Sequence, residues 1–339
     1  MSTLVNFRFC ITDTYKSWDW LFAIRMSLHP LHSIPRCRTI TTSLRLVRNC
    51  GGAVVSRRGM GGGREVQYTV SKNGGRLAYH KVSGTTPNVL YIPGLNIQCI
   101  EDSFNYSSSF PGFMSGKDGE KAEHLKSHCT RLGRTFVRYD PTCMGDSEGS
   151  MEKVQFKDWV DDAATVLVEQ CEGPTVLVGS SMGGWISLLL ATRSEFKHLV
   201  KGLVLVAPAL NFFRPYYQQM VKELPLEQQE KLERGEMVAV EDEYGITYLR
   251  KSFADASADL ELDLSKPLEV SLPCRILHGA RDATIPYKNS VGLMEKLVGN
   301  NVELVVRKDA EHRFSEPKSL QVLTESLEGV MRDIEQGQQ

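Results

Sequence analysis

The sequence of 339 residues predicts an α/β fold, with a mostly parallel sheet, helices on both faces and a small helical cap. Three observations lead to this prediction. Short apolar runs without polar alternation recur along the chain, and such runs are typical of strands buried on both faces. Segments with helical periodicity lie between these runs. One interval, 211–270, breaks the alternation; it is charged, aromatic and too long for a loop, so we expect it to form the cap.

The predicted elements begin with an antiparallel hairpin at 65–71 and 76–82, because apolar residues alternate in both segments around an Asn-Gly-Gly turn. The buried strands that follow are predicted at 88–92, 135–139, 175–178, 203–206, 275–277 and 303–306. The helices are predicted at 117–132, 156–170, 182–193, 288–298 and 317–334. The hairpin should add a mixed edge to the parallel sheet, and residues 65–335 should form one domain.

A basic leader precedes this domain. Residues 1–60 contain nine basic and two acidic side chains, and 26–60 contain no acidic residue. A segment rich in Arg and Ser and poor in acids is typical of a mitochondrial transit peptide. We therefore expect 1–60 to be a transit peptide or a disordered leader, and we expect the protein in the mitochondrial matrix. The alternative is an extension without a targeting function, with Met26 as the initiating residue.

The composition excludes several classes of function. With 40 basic and 41 acidic residues the formal charge is −1, so no overall field would attract nucleic acid. No run approaches the roughly 18 consecutive apolar residues of a membrane-spanning helix, which argues against an integral membrane protein. The eight cysteines include no C-x-x-C pair, so neither a zinc site nor a disulfide framework is indicated. We expect no metal and no cofactor.

The most specific motif is G-x-S-x-G at 179–183, with Ser181 at its centre. The motif follows a predicted strand and precedes a predicted helix. This is the context of a nucleophile elbow, a sharp turn that raises a serine Oγ above the sheet. The helix that begins at Met182 directs its first N–H groups towards a developing oxyanion. Ser181 is therefore the candidate nucleophile, and the backbone N–H of Met182 is the candidate first oxyanion donor.

A serine nucleophile needs a general base, and His312 is the candidate. In enzymes with such an elbow the chain order is Ser, then Asp or Glu, then His. His312 follows the last predicted strand, at the edge of the sheet where the nucleophile also emerges. His198 lies before a strand, at the opposite edge, and His278 lies within a predicted strand run, so neither fits the role as well.

The base needs an acid that holds it in one tautomer, and Asp282 is the candidate. It follows the strand before the one that leads to His312, so both side chains should emerge at the same edge of the sheet. Asp309 and Glu311 are nearer to His312 in sequence, but we interpret them as solvated charges because neighbours on one loop rarely point at each other's side chains.

The second oxyanion donor should lie in the turn after the third strand. Two Pro-Gly pairs, at 93–94 and 111–112, flank this turn, and the residues between them form either an extra inserted loop at 95–112 or an ordinary long active-site loop. If the segment is an insert that loops out, the donor is the N–H of Phe113; otherwise it is the N–H of Leu95. The sequence leaves the two alternatives open.

These segments together resemble the α/β-hydrolase superfamily. The resemblance is carried by Ile-Pro-Gly at 92–94, Arg-Tyr-Asp at 138–140, the elbow motif, and the segments that contain Asp282 and His312. Within the superfamily the chain is similar to mitochondrial thioesterases that act on palmitoylated proteins and on acyl glucuronides. The resemblance implies a Ser181, Asp282 and His312 triad, an acyl-enzyme intermediate, and S-acylated proteins or small acyl esters as substrates.

Two other functions remain as alternatives, a serine peptidase on the same fold and a catalytically impaired protein used for binding. The cap also leaves a choice open, because its aromatic residues would either line an acyl pocket or form ordinary core. These residues are Phe212, Phe213, Tyr216 and Tyr217.

Overall fold

The computed structural model of the protein describes residues 66–95, 117–242 and 245–337. These residues lie in a unit that comprises Gly59–Gln339. The predicted leader at 1–60 lies outside the described residues, as does the segment 96–116, which contains most of the predicted extra loop and Phe113.

Strands and helices alternate along the described chain. The strands are β1 (Gln67–Val70), β2 (Arg76–Val82), β3 (Thr85–Ile92), β4 (Arg134–Tyr139), β5 (Thr175–Ser180), β6 (Val200–Val206), β7 (Val238–Asp242), β8 (Gly245–Leu249), β9 (Cys274–Gly279) and β10 (Val302–Arg307). The helices are α1 (Glu120–Arg131), α2 (Phe156–Gln170), α3 (Met182–Thr192), α4 (Phe213–Glu223), α5 (Leu226–Glu233), α6 (Lys251–Ser257), α7 (Lys288–Lys296) and α8 (Pro317–Gln336).

The central sheet has eight strands in the order β1-β2-β4-β3-β5-β6-β9-β10. The pairs β1–β2 and β2–β4 are antiparallel, and every further pair in this sheet is parallel. The predicted fold class and the mixed edge are therefore confirmed. The carboxyl ends of β3, β5, β6, β9 and β10 meet at one edge, where the sites of open α/β sheets form.

Helices cover both faces of the sheet because the central strands are apolar on both sides. In β5, Leu177 packs with α2 and α3, whereas Val176 and Val178 face the opposite layer with α1 and α8. All three side chains are fully buried. Burial of each such side chain contributes about 1.5–3 kcal/mol, so the two layers hold the sheet in place. No helix in the described part of the chain is long and apolar enough to span a bilayer.

The cap lies between β6 and β9 and differs from the prediction in one respect. Besides α4, α5 and α6 it contains an antiparallel hairpin, β7–β8. Leu232, Val238 and Leu249 form the buried centre of a small apolar cluster there. The hairpin escaped prediction because β7 is short and ends in two acidic residues, which are depleted in strands. The cap is thus helical with one added hairpin.

Candidate active site

Ser181 occupies the turn between β5 and α3. Its backbone has φ 53° and ψ −116°, outside the regions that residues with a Cβ normally adopt. The two glycines of the motif make this turn possible. A Cβ on Gly183 would lie 2.1 Å from the Ile92 carbonyl oxygen, and one on Gly179 would lie 2.3 Å from the Gly183 oxygen. The geometry is that of a sharp strand-turn-helix elbow with the serine at its apex.

His312 lies beside Ser181, on the loop between β10 and α8. Its Nε2 is 3.1 Å from Ser181 Oγ, and its Nδ1 is 2.6 Å from Asp282 Oδ2. An ionised carboxylate only accepts hydrogen bonds, so we assign the proton to Nδ1 and the acceptor role to Nε2. The ring is a quarter exposed, at 25%, whereas the Asp282 side chain is fully buried. Ser181, His312 and Asp282 therefore form one hydrogen-bonded series.

Four hydrogen bonds surround the Asp282 carboxylate. Oδ1 accepts the N–H groups of Thr284 at 2.9 Å and Ile285 at 2.7 Å, and Oδ2 faces the rings of His278 and His312. Burial alone would raise the pKa of Asp282, but the hydrogen bonds from His278 and His312 lower it to about 2. The carboxylate is consequently ionised and fixed in orientation at neutral pH.

Backbone hydrogen bonds tie the site-bearing loops to one another. The loop after β9 donates to the chain around β10, through Ala280 N–H to Arg307 at 2.8 Å and Arg281 N–H to Ala310 at 3.0 Å. The Ala209 N–H, at the start of the cap connection, donates to the Ser181 carbonyl at 3.1 Å. The relative positions of the loops that carry Ser181, Asp282 and His312 are thus set by the sheet and not by the side chains alone.

Lys121 on α1 contacts the loop that carries His312. Its Nζ donates to the carbonyl oxygen of Arg313, the residue next to His312. Burial, together with the charge of Arg313, lowers the pKa of Lys121 to about 8. This contact links α1 to the His312 loop.

The predicted oxyanion donors have different outcomes. Met182 is the first residue of α3, and N–H groups in the first turn of a helix have no partner within the helix. Gly94 lies against the elbow, since a Cβ there would be 3.0 Å from the Ser180 oxygen and 3.1 Å from Ser181 Cβ. Leu95 follows directly, so the structure brings the turn after β3 next to Ser181. Phe113 lies outside the described residues.

One residue near the triad escaped the sequence reasoning. His278, set aside because it lies within a strand run, ends up 3.0 Å from Asp282 Oδ2 through Nε2. It is the penultimate residue of β9, at the carboxyl edge of the sheet, and it precedes Asp282 by four positions. This position near the carboxyl end of a strand is the feature of the sequence that could have indicated a place beside Asp282.

The cap aromatics divide between core and surface. Phe213 is buried and packs at the junction of cap and sheet, with ring centroids 5.1 Å from Phe156 and 4.9 Å from Phe253. Phe212 stacks on Tyr216 at 4.9 Å, and both are only half-buried. Tyr217 packs against the apolar cluster of the cap. Phe213 therefore belongs to the core, and of these four residues only Phe212 and Tyr216 combine ring stacking with partial exposure.

Among the described residues no group of three or more His, Cys, Asp or Glu side chains could hold a metal ion.

Comparisons with known proteins give the following similarities. A family model described as serine aminopeptidase, S33, matches residues 115–317. The mitochondrial palmitoyl-protein thioesterase ABHD10 of Rattus norvegicus is 30% identical over 253 residues, which cover 73% of this chain and 76% of that protein. The Bos taurus protein of the same name is 28% identical over 258 residues, covering 75% of this chain and 76% of its own.

Solved structures show the same fold. The mouse alpha/beta hydrolase domain-containing protein 10 matches with a TM-score of 0.66 and 26% identity, covering 80% of this chain and 100% of that chain. A putative hydrolase from Agrobacterium vitis S4 also has a TM-score of 0.66, at 22% identity, covering 79% of this chain and 98% of its own. At 22% identity, the similarity to the Agrobacterium vitis protein is evidence for the fold only.

Proposed function

Because this chain belongs to the α/β-hydrolase family described as serine aminopeptidase, S33, we propose that it is a serine hydrolase that cleaves acyl thioesters or esters. The observation that carries the proposal is the hydrogen-bonded series of Ser181, His312 and Asp282, with separations of 3.1 Å and 2.6 Å. These distances lie within the range in which a base can take a proton from a nucleophile.

In the proposed mechanism Ser181 Oγ attacks the acyl carbonyl while His312 Nε2 accepts the hydroxyl proton. Asp282 stabilises the resulting imidazolium through the hydrogen bond to Nδ1. His312 then donates its proton to the leaving thiolate or alkoxide, and the acyl group remains on Ser181. A water molecule repeats the sequence and releases the acid, so the residues of this chain account for both half-reactions without a redox step.

The tetrahedral intermediates carry a negative oxygen that needs hydrogen-bond donors. We assign the first to Met182 N–H, where the positive end of the α3 dipole adds to the stabilisation. We assign the second to Leu95 N–H, because the preceding residue, Gly94, approaches the elbow so closely that a Cβ there would lie 3.0 Å from the Ser180 oxygen. The loss of one such donor typically costs about 2.7–4 kcal/mol of transition-state stabilisation.

An acyl chain is the substrate group that the surroundings of the elbow favour. Half-buried apolar side chains follow three of the strands that end there and pack against the main core. They are Leu95 after β3, Met144 after β4, and Leu210 and Phe212 after β6. Partly exposed apolar surface is stabilised when a hydrocarbon chain covers it. The ABHD10 relatives, named as palmitoyl-protein thioesterases, support S-acylated proteins or small acyl esters as substrates.

A serine peptidase is the second candidate, because the family model is described as a serine aminopeptidase. The apolar residues around the elbow favour an acyl chain over a peptide. A catalytically impaired binding protein is disfavoured, since such a protein would not need the nucleophile, base and acid within hydrogen-bond distance of one another.

We also propose the mitochondrion, and within it the matrix, as the location. The basic, acid-poor composition of residues 1–60 supports import, and the relatives are named as mitochondrial proteins.

The test is active-site labelling with a fluorophosphonate, followed by hydrolysis assays. We expect the probe to label wild-type protein on Ser181 and to leave Ser181→Ala unlabelled. Thioesters and p-nitrophenyl esters from acetyl to palmitoyl should then be hydrolysed much faster than an amino-acid p-nitroanilide. Faster cleavage of the anilide would favour the peptidase, and absence of labelling in folded protein would overturn the proposal.

A further inference from the structure

The imidazole of His278 is fully buried and makes three polar contacts around Asp282. Its Nε2 lies 3.0 Å from Asp282 Oδ2 and 2.9 Å from the Ile285 carbonyl oxygen, and its Nδ1 lies 2.7 Å from Ser290 Oγ. The ring therefore joins β9, the loop after β9, and α7. The catalytic mechanism proposed above does not use it.

The three partners determine where the ring carries its proton. The Ile285 carbonyl and the Asp282 carboxylate can only accept hydrogen bonds, so Nε2 must be protonated and donate to both. In the neutral ring Nδ1 is then an acceptor, and the Ser290 hydroxyl donates to it. Ser290 is itself fully buried, which leaves its hydroxyl no competing water. The ring is thus held in one tautomer and one orientation.

Asp282 Oδ2 consequently receives two imidazole N–H groups, at 2.6 Å from His312 and at 3.0 Å from His278. With the two backbone donors on Oδ1, the carboxylate has four partners, which fills its usual acceptor capacity. Without the contact from His278, one acceptor position of a buried carboxylate would have no hydrogen. The carboxylate could then rotate or direct more of its charge towards His312.

We propose that His278 is a positioning residue, which holds Oδ2 of Asp282 in line with Nδ1 of His312 and shares the negative charge of the carboxylate. The inference rests on the proposed function, since its catalytic consequence requires Ser181 and His312 to act as nucleophile and base. His278 does not touch the reacting atoms, and it acts through Asp282.

Two effects follow from the removal of the His278 donor. Asp282 becomes a stronger acceptor for His312, which stabilises the protonated base and moves the acidic limb of kcat/KM to higher pH. Asp282 also loses one restraint on its orientation, which lowers kcat. Among the described residues, the hydrogen-bond partners of His312 are Asp282 and Ser181, and Lys121 of α1 contacts the adjacent Arg313 carbonyl; the substitution leaves these groups in place.

The experiment compares four variants with the wild type. His278→Leu removes all three contacts, and His278→Gln keeps an N–H donor near the position of Nε2. Ser290→Ala removes only the hydroxyl that fixes the tautomer. His198→Leu is the matched control, because His198 is exposed and precedes β6 at the opposite edge of the sheet. Thermal melts and fluorophosphonate titration report the folded and competent fraction of each protein.

We expect His278→Leu to lower kcat on a p-nitrophenyl ester about tenfold and to move the acidic limb of kcat/KM up by about half a pH unit. Ser290→Ala should move the limb in the same direction by less. His278→Gln should stay within about twofold of the wild type, and His198→Leu should be unchanged. If His278→Leu does not fold, the Gln and Ala variants carry the test.

A second readout does not depend on turnover. The proton between His312 Nδ1 and Asp282 should give a far-downfield proton NMR signal that disappears in His312→Ala. Its shift should change in His278→Leu and return in His278→Gln. An unchanged pH limb and an unchanged signal in folded His278→Leu would overturn the role of His278. A wild type without labelling or turnover but with the predicted NMR changes would instead overturn the proposed function and leave the positioning contact supported.

Discussion

At the residue scale, Ser181 has a backbone conformation that costs about 1–3 kcal/mol and persists only when its surroundings enforce it. The enforcing contacts are visible on both sides of the residue. Its N–H donates to the Val206 carbonyl at 2.8 Å, and its own carbonyl accepts from Gly184 at 2.9 Å and Ala209 at 3.1 Å. The hydroxyl is therefore held at a fixed height above the sheet before any substrate arrives.

The triad assignment predicts large and unequal losses. Ser181→Ala should lower kcat on a p-nitrophenyl ester by about 10⁶, because triad residues act as a unit. Asp282→Asn should lower it by about 10⁴, because the amide favours the wrong tautomer of His312. Ser194→Ala, at an exposed serine, is the control. Near-native turnover in Ser181→Ala would show that another residue is the nucleophile.

Asp162 predicts a pH-dependent stability. Burial raises the pKa of its carboxyl to about 6 from an ordinary 3.8. Hydrogen bonding to Thr142 lowers this pKa, and the negative charges of Asp158 and Asp161 raise it further. Between about pH 4 and 6 the folded protein thus binds more protons than the unfolded chain, so the free energy of unfolding falls as the pH rises. Across this window the free energy of unfolding of the wild type should fall by about 2–3 kcal/mol relative to that of Asp162→Asn.

Urea unfolding of both proteins from pH 4 to pH 8 measures this difference, with Asp259→Asn as a control at an exposed carboxylate. Parallel stability curves for the wild type and Asp162→Asn would mean that Asp162 stays ionised in the folded protein throughout.

The residues that the sequence predicted and the one that it missed differ in a physical respect. Ser181, Asp282 and His312 each directly follow or lie just beyond a strand end, and a fixed chain order connects them. His278 is the penultimate residue of β9, so the pleat of the strand determines the direction of its side chain, and α7 supplies its partner Ser290. The contacts of His278 with Asp282 and Ser290 depend on the folded chain and leave no periodic pattern in the sequence.

At the element scale, the continuous apolar runs predict the strands of the central sheet, because both of its faces are buried, whereas they do not predict the β7–β8 hairpin of the cap. Helix boundaries follow less directly from the sequence pattern. The first helix was predicted from 117, but α1 begins at Glu120, because the N–H and Nζ of Lys117 bind the Asp140 carboxylate at 2.8 Å and 2.9 Å. Both residues are buried, and breaking such a pair typically costs 3–5 kcal/mol. Tertiary contacts of this kind decide helix ends that local pattern cannot.

The segment 95–112 carries a prediction at this scale. Deletion of these residues should leave a folded protein, because each doubling of loop length changes closure entropy by only about 0.6 kcal/mol. It should also raise kcat on a p-nitrophenyl ester, because Phe113 would then follow Gly94 and supply the oxyanion N–H in place of Leu95, on a shorter connection to Lys117. Deletion of 96–112 is the matched control, because it shortens the same connection but keeps Leu95 after Gly94. Equal or lower activity in both folded deletions would make the segment a working part of the site.

At the scale of the whole molecule, charge is distributed unevenly, with the basic leader followed by a more acidic remainder. Residues 1–60 fused to a fluorescent reporter should therefore enter mitochondria, because an Arg-rich segment without acids can form a positive amphipathic surface. Replacement of four arginines with Glu should abolish import. They are Arg36, Arg38, Arg45 and Arg48. Cytosolic fluorescence of the unmodified fusion in live-cell imaging would contradict the proposed location.

The order of the triad along the chain has a consequence for biosynthesis. Ser181 is made before the cap, whereas Asp282 and His312 are made after it, on the last two loops of the sheet. A ribosome-bound chain therefore carries the nucleophile long before it has a base to activate it. The same holds for a chain that crosses a membrane unfolded with its amino end first. In the proposed mechanism, hydrolysis therefore begins only once β10 has joined the sheet beside β9, and a chain that has not yet folded would have no activity.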